Sequence, residues 1–265
     1  MDAPTQKLVD ISDSDAARNS IADLILEQGH WATQVFQRYD REQVQAIVDA
    51  VAACIEENAA RYAEWAVRES GFGVVEDKTL KNRLTGKPLV DFYRNDDFIN
   101  PQIDSVAKIV RIPRPAGVVF ALAPSTNPIA TINFKVLIAL MTRNAIVVSP
   151  HPAVRECCTD AVRTLAACAV AAGAPQACIQ VIEKPTIPLI DCFMKSSKTN
   201  LILATGGTAM VRAAYSSSNP AIGVGPGNVP VFVDDSADLK KAAQRIVDSK
   251  SFDNSVLCTN ESVMI

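Results

Sequence analysis

One cysteine in this chain stands where a thiol could act as a nucleophile. Cys258 ends the polar turn 251–258, Ser-Phe-Asp-Asn-Ser-Val-Leu-Cys, between an amphipathic helical stretch and the apolar run 262–265. A thiol on a turn can meet a ligand, whereas one inside an apolar segment packs. The other six, Cys54, Cys157, Cys158, Cys168, Cys178 and Cys192, read as small buried hydrophobes. Seven is an odd number and no Cys-x-x-Cys pair occurs, so no disulfide framework is expected. With only two histidines, His30 and His151, no zinc site is expected either.

Further polar groups lie where the pattern turns from strand to helix. Asn127, in Pro124-Ser125-Thr126-Asn127-Pro128, opens a helix. It reads either as an N-cap worth about 1 kcal/mol or as an amide N–H donor for a developing oxyanion. His151, between Pro150 and Pro152, is held extended. It reads either as an exposed turn residue or as a contact for a ribose or phosphate. Thr205-Gly206-Gly207-Thr208 joins a strand to a helix start, which suits either a tight turn or an anion. Gly223, Gly225 and Gly227 let backbone approach another segment or a ligand closely.

The elements that must position these groups fall into two regions. The first hundred residues read as helices. Asp13 or Ser14 caps one that runs to Gly29, and Asp40 with Gln43 forms a capping box for the next. Another carries Ala59, Tyr62, Ala63, Trp65 and Ala66 and stops at Gly71, and a fourth covers 78–96. Residues 103–111 alternate partly, as an edge or arm strand would. From 115 onward, strands at 117–122, 145–148, 178–182, 201–203 and 231–233 are set among helices at 128–141, 154–172, 187–195 and 208–216. Apolar strands linked by helices predict an α/β fold, a Rossmann-like, mainly parallel sheet with helices on both faces, preceded by an N-terminal helical segment. Ligands of such sheets bind at the carboxyl ends of the strands.

Composition excludes several alternatives. The 265 residues carry a net charge of -3 and are 48% hydrophobic, the balance of an ordinary globular chain. No basic cluster suggests nucleic acid, and no apolar run approaches the ~20 residues that span a membrane. The opening Met1-Asp2-Ala3-Pro4 lacks a signal-peptide pattern, so a cytoplasmic protein is the expectation.

Together these motifs resemble the aldehyde dehydrogenase superfamily, and within it the coenzyme A-acylating branch. The matching pieces are Pro-Ser-Thr-Asn-Pro at 124–128, Ser-Pro-His-Pro at 149–152, Ala-Thr-Gly-Gly at 204–207, Gly-Val-Gly-Pro-Gly-Asn-Val-Pro at 223–230, and Ser-Phe-Asp-Asn at 251–254 with Cys258. The resemblance implies that Cys258 is the nucleophile and that Asn127 helps to hold the oxyanion. It implies cofactor contacts at Ser125, His151, Pro152, Thr205, Gly206, Gly207, Thr208, Gly225 and Gly227. His151 stands where hydrolytic members carry a lysine, and Val154 replaces a glutamate, which leaves NAD and NADP both open. Hydrolytic members also have a glutamate before a glycine pair; here Val224-Gly225-Pro226-Gly227 has no carboxylate. Without a base to activate water, an acyl-enzyme should wait for a better nucleophile, and coenzyme A is one.

The resemblance further implies a domain plan. Residues 1–102 form the helical segment, 103–114 an arm or edge strand, and 115–250 the dinucleotide-binding domain. Residues 251–265 begin a catalytic domain that is otherwise absent, and the full-length form is expected to be a homo-oligomer. The implied reaction oxidises a small aldehyde with NAD(P) to an acyl-CoA. The alternatives are a non-catalytic cofactor-binding or oligomer-modulating fragment and a non-acylating, water-using aldehyde dehydrogenase.

Overall fold

The computed structural model describes residues 14–258 and 260–265. Ser14 accepts a hydrogen bond from the Ala17 N–H and caps α1 (Asp15–Phe36); Asp13, the other expected cap, lies outside the described residues. The helix does not stop at Gly29. A Cβ built there would lie 3.2 Å from Val118, so the glycine marks a close helix–sheet contact rather than an end.

The capping box is present: the Gln43 N–H donates to Asp40, and the Gln43 side chain accepts from the Asp40 N–H. It opens α2 (Arg41–Ser70), which is one helix where the sequence suggested two. Val44, Ile47, Val48, Val51, Ile55, Ala59, Tyr62 and Ala66 share its buried side, and left-handed Gly71 ends it. The expected helix over 78–96 is instead two, α3 (Val75–Leu84) and α4 (Lys87–Tyr93), parted at Gly86. A Cβ on Gly86 would lie 2.9 Å from Ile55, so this break is also a close approach to α2. The arm is a two-stranded hairpin, β1 (Gln102–Asp104) antiparallel to β2 (Ile109–Arg111).

The central sheet contains β3 (Val118–Leu122), β4 (Ala145–Ser149), β5 (Ile179–Val181), β6 (Leu201–Thr205) and β7 (Ala221–Val224). Its order is β5-β4-β3-β6-β7, with every pair parallel. The crossovers are α5 (Pro128–Met141), α6 (Arg155–Ala171), α7 (Ile187–Lys195) and α8 (Thr208–Tyr215). Strand β7 was not foreseen, because its sequence was read as part of the glycine-rich turn. The period of two in β3 divides the core: Val119 and Ala121 face the layer holding α2, α5 and α6, while Val118, Phe120 and Leu122 face α1 and α7. Phe120 and Phe193 stack at 5.1 Å, an interaction worth about 1 kcal/mol beyond burial.

After the sheet come β8 (Val229–Val231), α9 (Leu239–Ser251) and β9 (Glu261–Met264). β8 and β9 pair in parallel as a separate ribbon, so the expected strand at 231–233 begins earlier. Among the described residues no helix is long and apolar enough to cross a membrane.

Candidate functional site

Parallel pairing brings the carboxyl ends of β3, β4, β6 and β7 to one edge of the sheet. Ser125 and Asn127 follow β3, His151 and Pro152 follow β4, Gly206, Gly207 and Thr208 follow β6, and Gly225 and Gly227 follow β7. The chain moves outward from β3 to β4 and β5, then returns to place β6 on the other side of β3. The crevice of such a sheet lies at this reversal, between β3 and β6.

The two strands are joined there by a residue that no sequence motif marks. Buried Lys135 on α5 donates to the carbonyls of Leu122 and Leu203, both at 2.7 Å. Burial pushes its pKa down to about 7. Its sequence signal was a single cation inside an apolar helix, a position that demands polar partners.

Asn127 does not cap α5 through its side chain. Its Nδ2 donates to the Val256 carbonyl at 2.9 Å, and its Oδ1 accepts from Lys78 and Lys81. An amide has two N–H donors, and the second has no hydrogen-bond partner among the described residues. The asparagine therefore ties the loop after β3 to the turn that carries Cys258.

That turn is held from α3. Asp253 is fully buried, and its Oδ2 accepts from Lys78 at 3.0 Å and from Lys81. Its Oδ1 accepts from the Val74 N–H at 2.7 Å, and its own N–H donates to Asp77 at 2.7 Å. Lys78 also donates to the Thr126 carbonyl at 2.6 Å, and Lys81 to that of Val256 at 3.2 Å. Burial lowers the pKa of Lys78, and the neighbouring Lys81 adds to this while Asp253 opposes it. Asp253, Asn254 and Ser255 are consecutive left-handed residues, at φ 48°, 53° and 61°. Each costs of order 1 kcal/mol and persists only where the surroundings over-determine it; the bonds to Asp253 supply that constraint. Removing one partner of such a buried ion pair typically costs about 3–5 kcal/mol. Sequence reading named the Ser-Phe-Asp-Asn motif but missed Asp77, Lys78, Lys81 and the role of Asp253. The available signal was the spacing of two lysines three apart on a short helix, which places them on one face.

Cys258 is exposed. Of the other six thiols, Cys54, Cys157, Cys158 and Cys178 are buried as expected, but Cys168 and Cys192 are partly exposed. Burial pushes Cys54, Cys157 and Cys178 up to about 12, so these thiols stay protonated. The glycine-rich loop meets the turn of Cys258 directly: a Cβ on Gly227 would lie 2.1 Å from the Cys258 carbonyl oxygen. Its partner is therefore another segment of the chain.

The remaining positions take simpler forms. His151 is exposed and extended, and its Nδ1 accepts from the Ala153 N–H at 3.2 Å, capping the short turn Pro152–Val154. Val154 is buried. Gly207 begins α8 with no side-chain cap, and a Cβ there would meet nothing within 4 Å. The space beside Gly207 at the start of α8 is thus open, and a helix start is a setting suited to an anion. Among the described residues no group of His, Cys, Asp and Glu could hold a metal ion.

Chains similar to this one in sequence and fold are known. Residues 4–265 match the aldehyde dehydrogenase family. This chain belongs to that family. Over 252 residues it is 39% identical to the bifunctional aldehyde-alcohol dehydrogenase AdhE of Escherichia coli (strain K12), covering 94% of this chain and 28% of that protein. A solved acetylating aldehyde dehydrogenase from Geobacillus thermoglucosidasius is 40% identical with a TM-score of 0.90, covering 95% of this chain and 56% of that one. A propionaldehyde dehydrogenase from Rhodopseudomonas palustris, solved with bound CoA and an acylated cysteine, is 31% identical with a TM-score of 0.82. That match covers 92% of this chain and 55% of the other. The family member described here thus spans 28% of the first relative and about half of the two solved chains.

Proposed function

We propose that this chain carries the cofactor domain and the nucleophile of a coenzyme A-acylating aldehyde dehydrogenase. The observation that carries the reading is the convergence of Asn127, Gly227 and Cys258 on one turn. The Cys258 thiolate attacks the carbonyl carbon of a short aldehyde. The free N–H of Asn127 and the Cys258 backbone N–H receive the oxyanion, and losing one such donor costs about 3–4 kcal/mol. Gly206, Gly207 and Thr208 hold the pyrophosphate of a dinucleotide at the open start of α8. Ser125, Thr205 and Gly225 would help to hold it, and His151 and Pro152 would contact its adenosine. When bound, the nicotinamide supplies the hydride acceptor, which leaves the acyl group on sulfur. Coenzyme A then takes the acyl group.

Two features favour coenzyme A over water. The stretch 224–227 has no carboxylate. Asp253, on the nucleophile turn, is bound by two lysines and unavailable as a base. Acetaldehyde is the simplest substrate, NAD the first choice of nicotinamide, and a homo-oligomer the expected state of the whole enzyme. Residues 1–102 serve as the helical segment that packs on the cofactor domain, and 251–265 open the catalytic domain.

The test is NADH formation from acetaldehyde, with and without coenzyme A, by the wild type and by Cys258→Ala. Turnover that needs both coenzyme A and Cys258 supports the reading. Acid formation without coenzyme A would favour a hydrolytic enzyme, and no product under either condition a non-catalytic module. Undiminished turnover by Cys258→Ala would remove the thiol from the mechanism.

A further inference from the structure

The lysines of α3 do more than neutralise a buried carboxylate. Lys78 and Lys81 lie three residues apart on one face of the helix, and both reach Asp253 and the Asn127 oxygen. An asparagine amide can sit in either of two orientations, with oxygen and nitrogen exchanged. Two ammonium groups beside one end settle the choice, because an ammonium donates and never accepts. The oxygen must face α3, so the NH2 must face the Cys258 turn. The Val256 carbonyl accepts one of its hydrogens at 2.9 Å and leaves the other for a ligand. Lys81 also donates to that carbonyl at 3.2 Å, so one ammonium touches Asp253, Asn127 and Val256 together.

We propose that Lys78 and Lys81 are positioning residues. They fix the donor end of Asn127 toward Cys258, while the Lys78–Asp253 pair holds the left-handed backbone that presents the thiol. Neither lysine touches the reacting atoms; both act through Asn127 and Asp253. The inference rests on the acyl-cysteine reading above and adds the device that orients its oxyanion donor.

Two chemistries at the same sulfur separate orientation from exposure. Acylation of Cys258 by p-nitrophenyl acetate passes through an oxyanion and needs Asn127. Alkylation by iodoacetamide forms no oxyanion. Neither needs a nicotinamide, so both can be measured on this chain. In Lys81→Met, which keeps the length of the side chain and leaves Lys78 paired with Asp253, acylation should fall about 10- to 100-fold. Alkylation should change little. Asn127→Ala should show the same split, and the double variant should be no slower than the slower single one.

If Lys81→Met fails to fold by circular dichroism, Lys81→Gln takes its place in the same comparison. Equal acylation in wild type and variant would overturn the clamp alone, and so would acylation and alkylation falling together. A wild-type Cys258 that alkylates but never acylates would overturn the acyl-cysteine reading and the clamp with it.

Discussion

Gly227 and Cys258 touch backbone to backbone. A Cβ on the glycine would lie 2.1 Å from the cysteine carbonyl oxygen and 2.9 Å from its Cα. The loop after β7 therefore sets how far the turn carrying Cys258 can move toward the sheet edge. Gly227→Ala must push the two apart, and a displacement near 1 Å can cost about a hundredfold in rate. Cys258 acylation should fall at least about tenfold, and stability should fall by about 1–3 kcal/mol, because the atoms that a new Cβ meets are backbone. Gly225→Ala is the control, since nothing lies within 4 Å of its Cβ position. Acylation rates and thermal melts of both variants check the claim; equal behaviour of the two would refute it.

Lys135 makes stability depend on pH. Its folded pKa is about 7, against an unfolded value near 10.4. Between those values the unfolded chain binds more protons, so folding stability rises with pH, by up to about 1.4 kcal/mol per pH unit. Below pH 7 the cost of the buried charge is fully present. Urea unfolding of the wild type and Lys135→Met from about pH 6 to about pH 9.5 reads this directly. The wild type should gain on the variant as pH rises. Parallel profiles would mean that the ammonium is not desolvated as its position requires.

Gly29 should resist enlargement even though it sits within a helix. Glycine normally costs a helix about 1 kcal/mol relative to alanine, so propensity alone favours replacing it. Here Val118 and Gln180 stand 3.2 Å and 3.3 Å from the Cβ position. Gly29→Leu should lose about 1–3 kcal/mol through overpacking between α1 and β3. A variant at least as stable as the wild type in chemical denaturation would show that the helix is free to shift.

The sheet was legible because buried parallel strands read as short apolar runs, and helices at 128–141 and 187–195 fall where the pattern puts them. Cys258 was legible because it alone sits on a polar turn. What the sequence concealed was long-range contact. Gly29 reads as a stop and Gly86 as the interior of a helix until the partners that crowd them, Val118 and Ile55, are known. The burial of the α3 lysines is invisible locally, because their partners are Thr126 and Asn127, more than 40 positions away, and Val256 and Asp253, more than 170 positions away. Asn127 presented a cap pattern, yet its amide is claimed by Lys78, Lys81 and Val256 instead. Local propensity cannot anticipate such pairings, since each needs two segments whose meeting the whole fold determines.

The central claim is that Cys258 carries an acyl group destined for coenzyme A. Mass spectrometry of the chain after brief exposure to p-nitrophenyl acetate tests it most directly, followed by a chase with either coenzyme A or buffer. One acetyl group should appear on Cys258, stable in buffer and released by coenzyme A as acetyl-CoA. Acetylation elsewhere with Cys258 unmodified, or loss in buffer as fast as with coenzyme A, would contradict it.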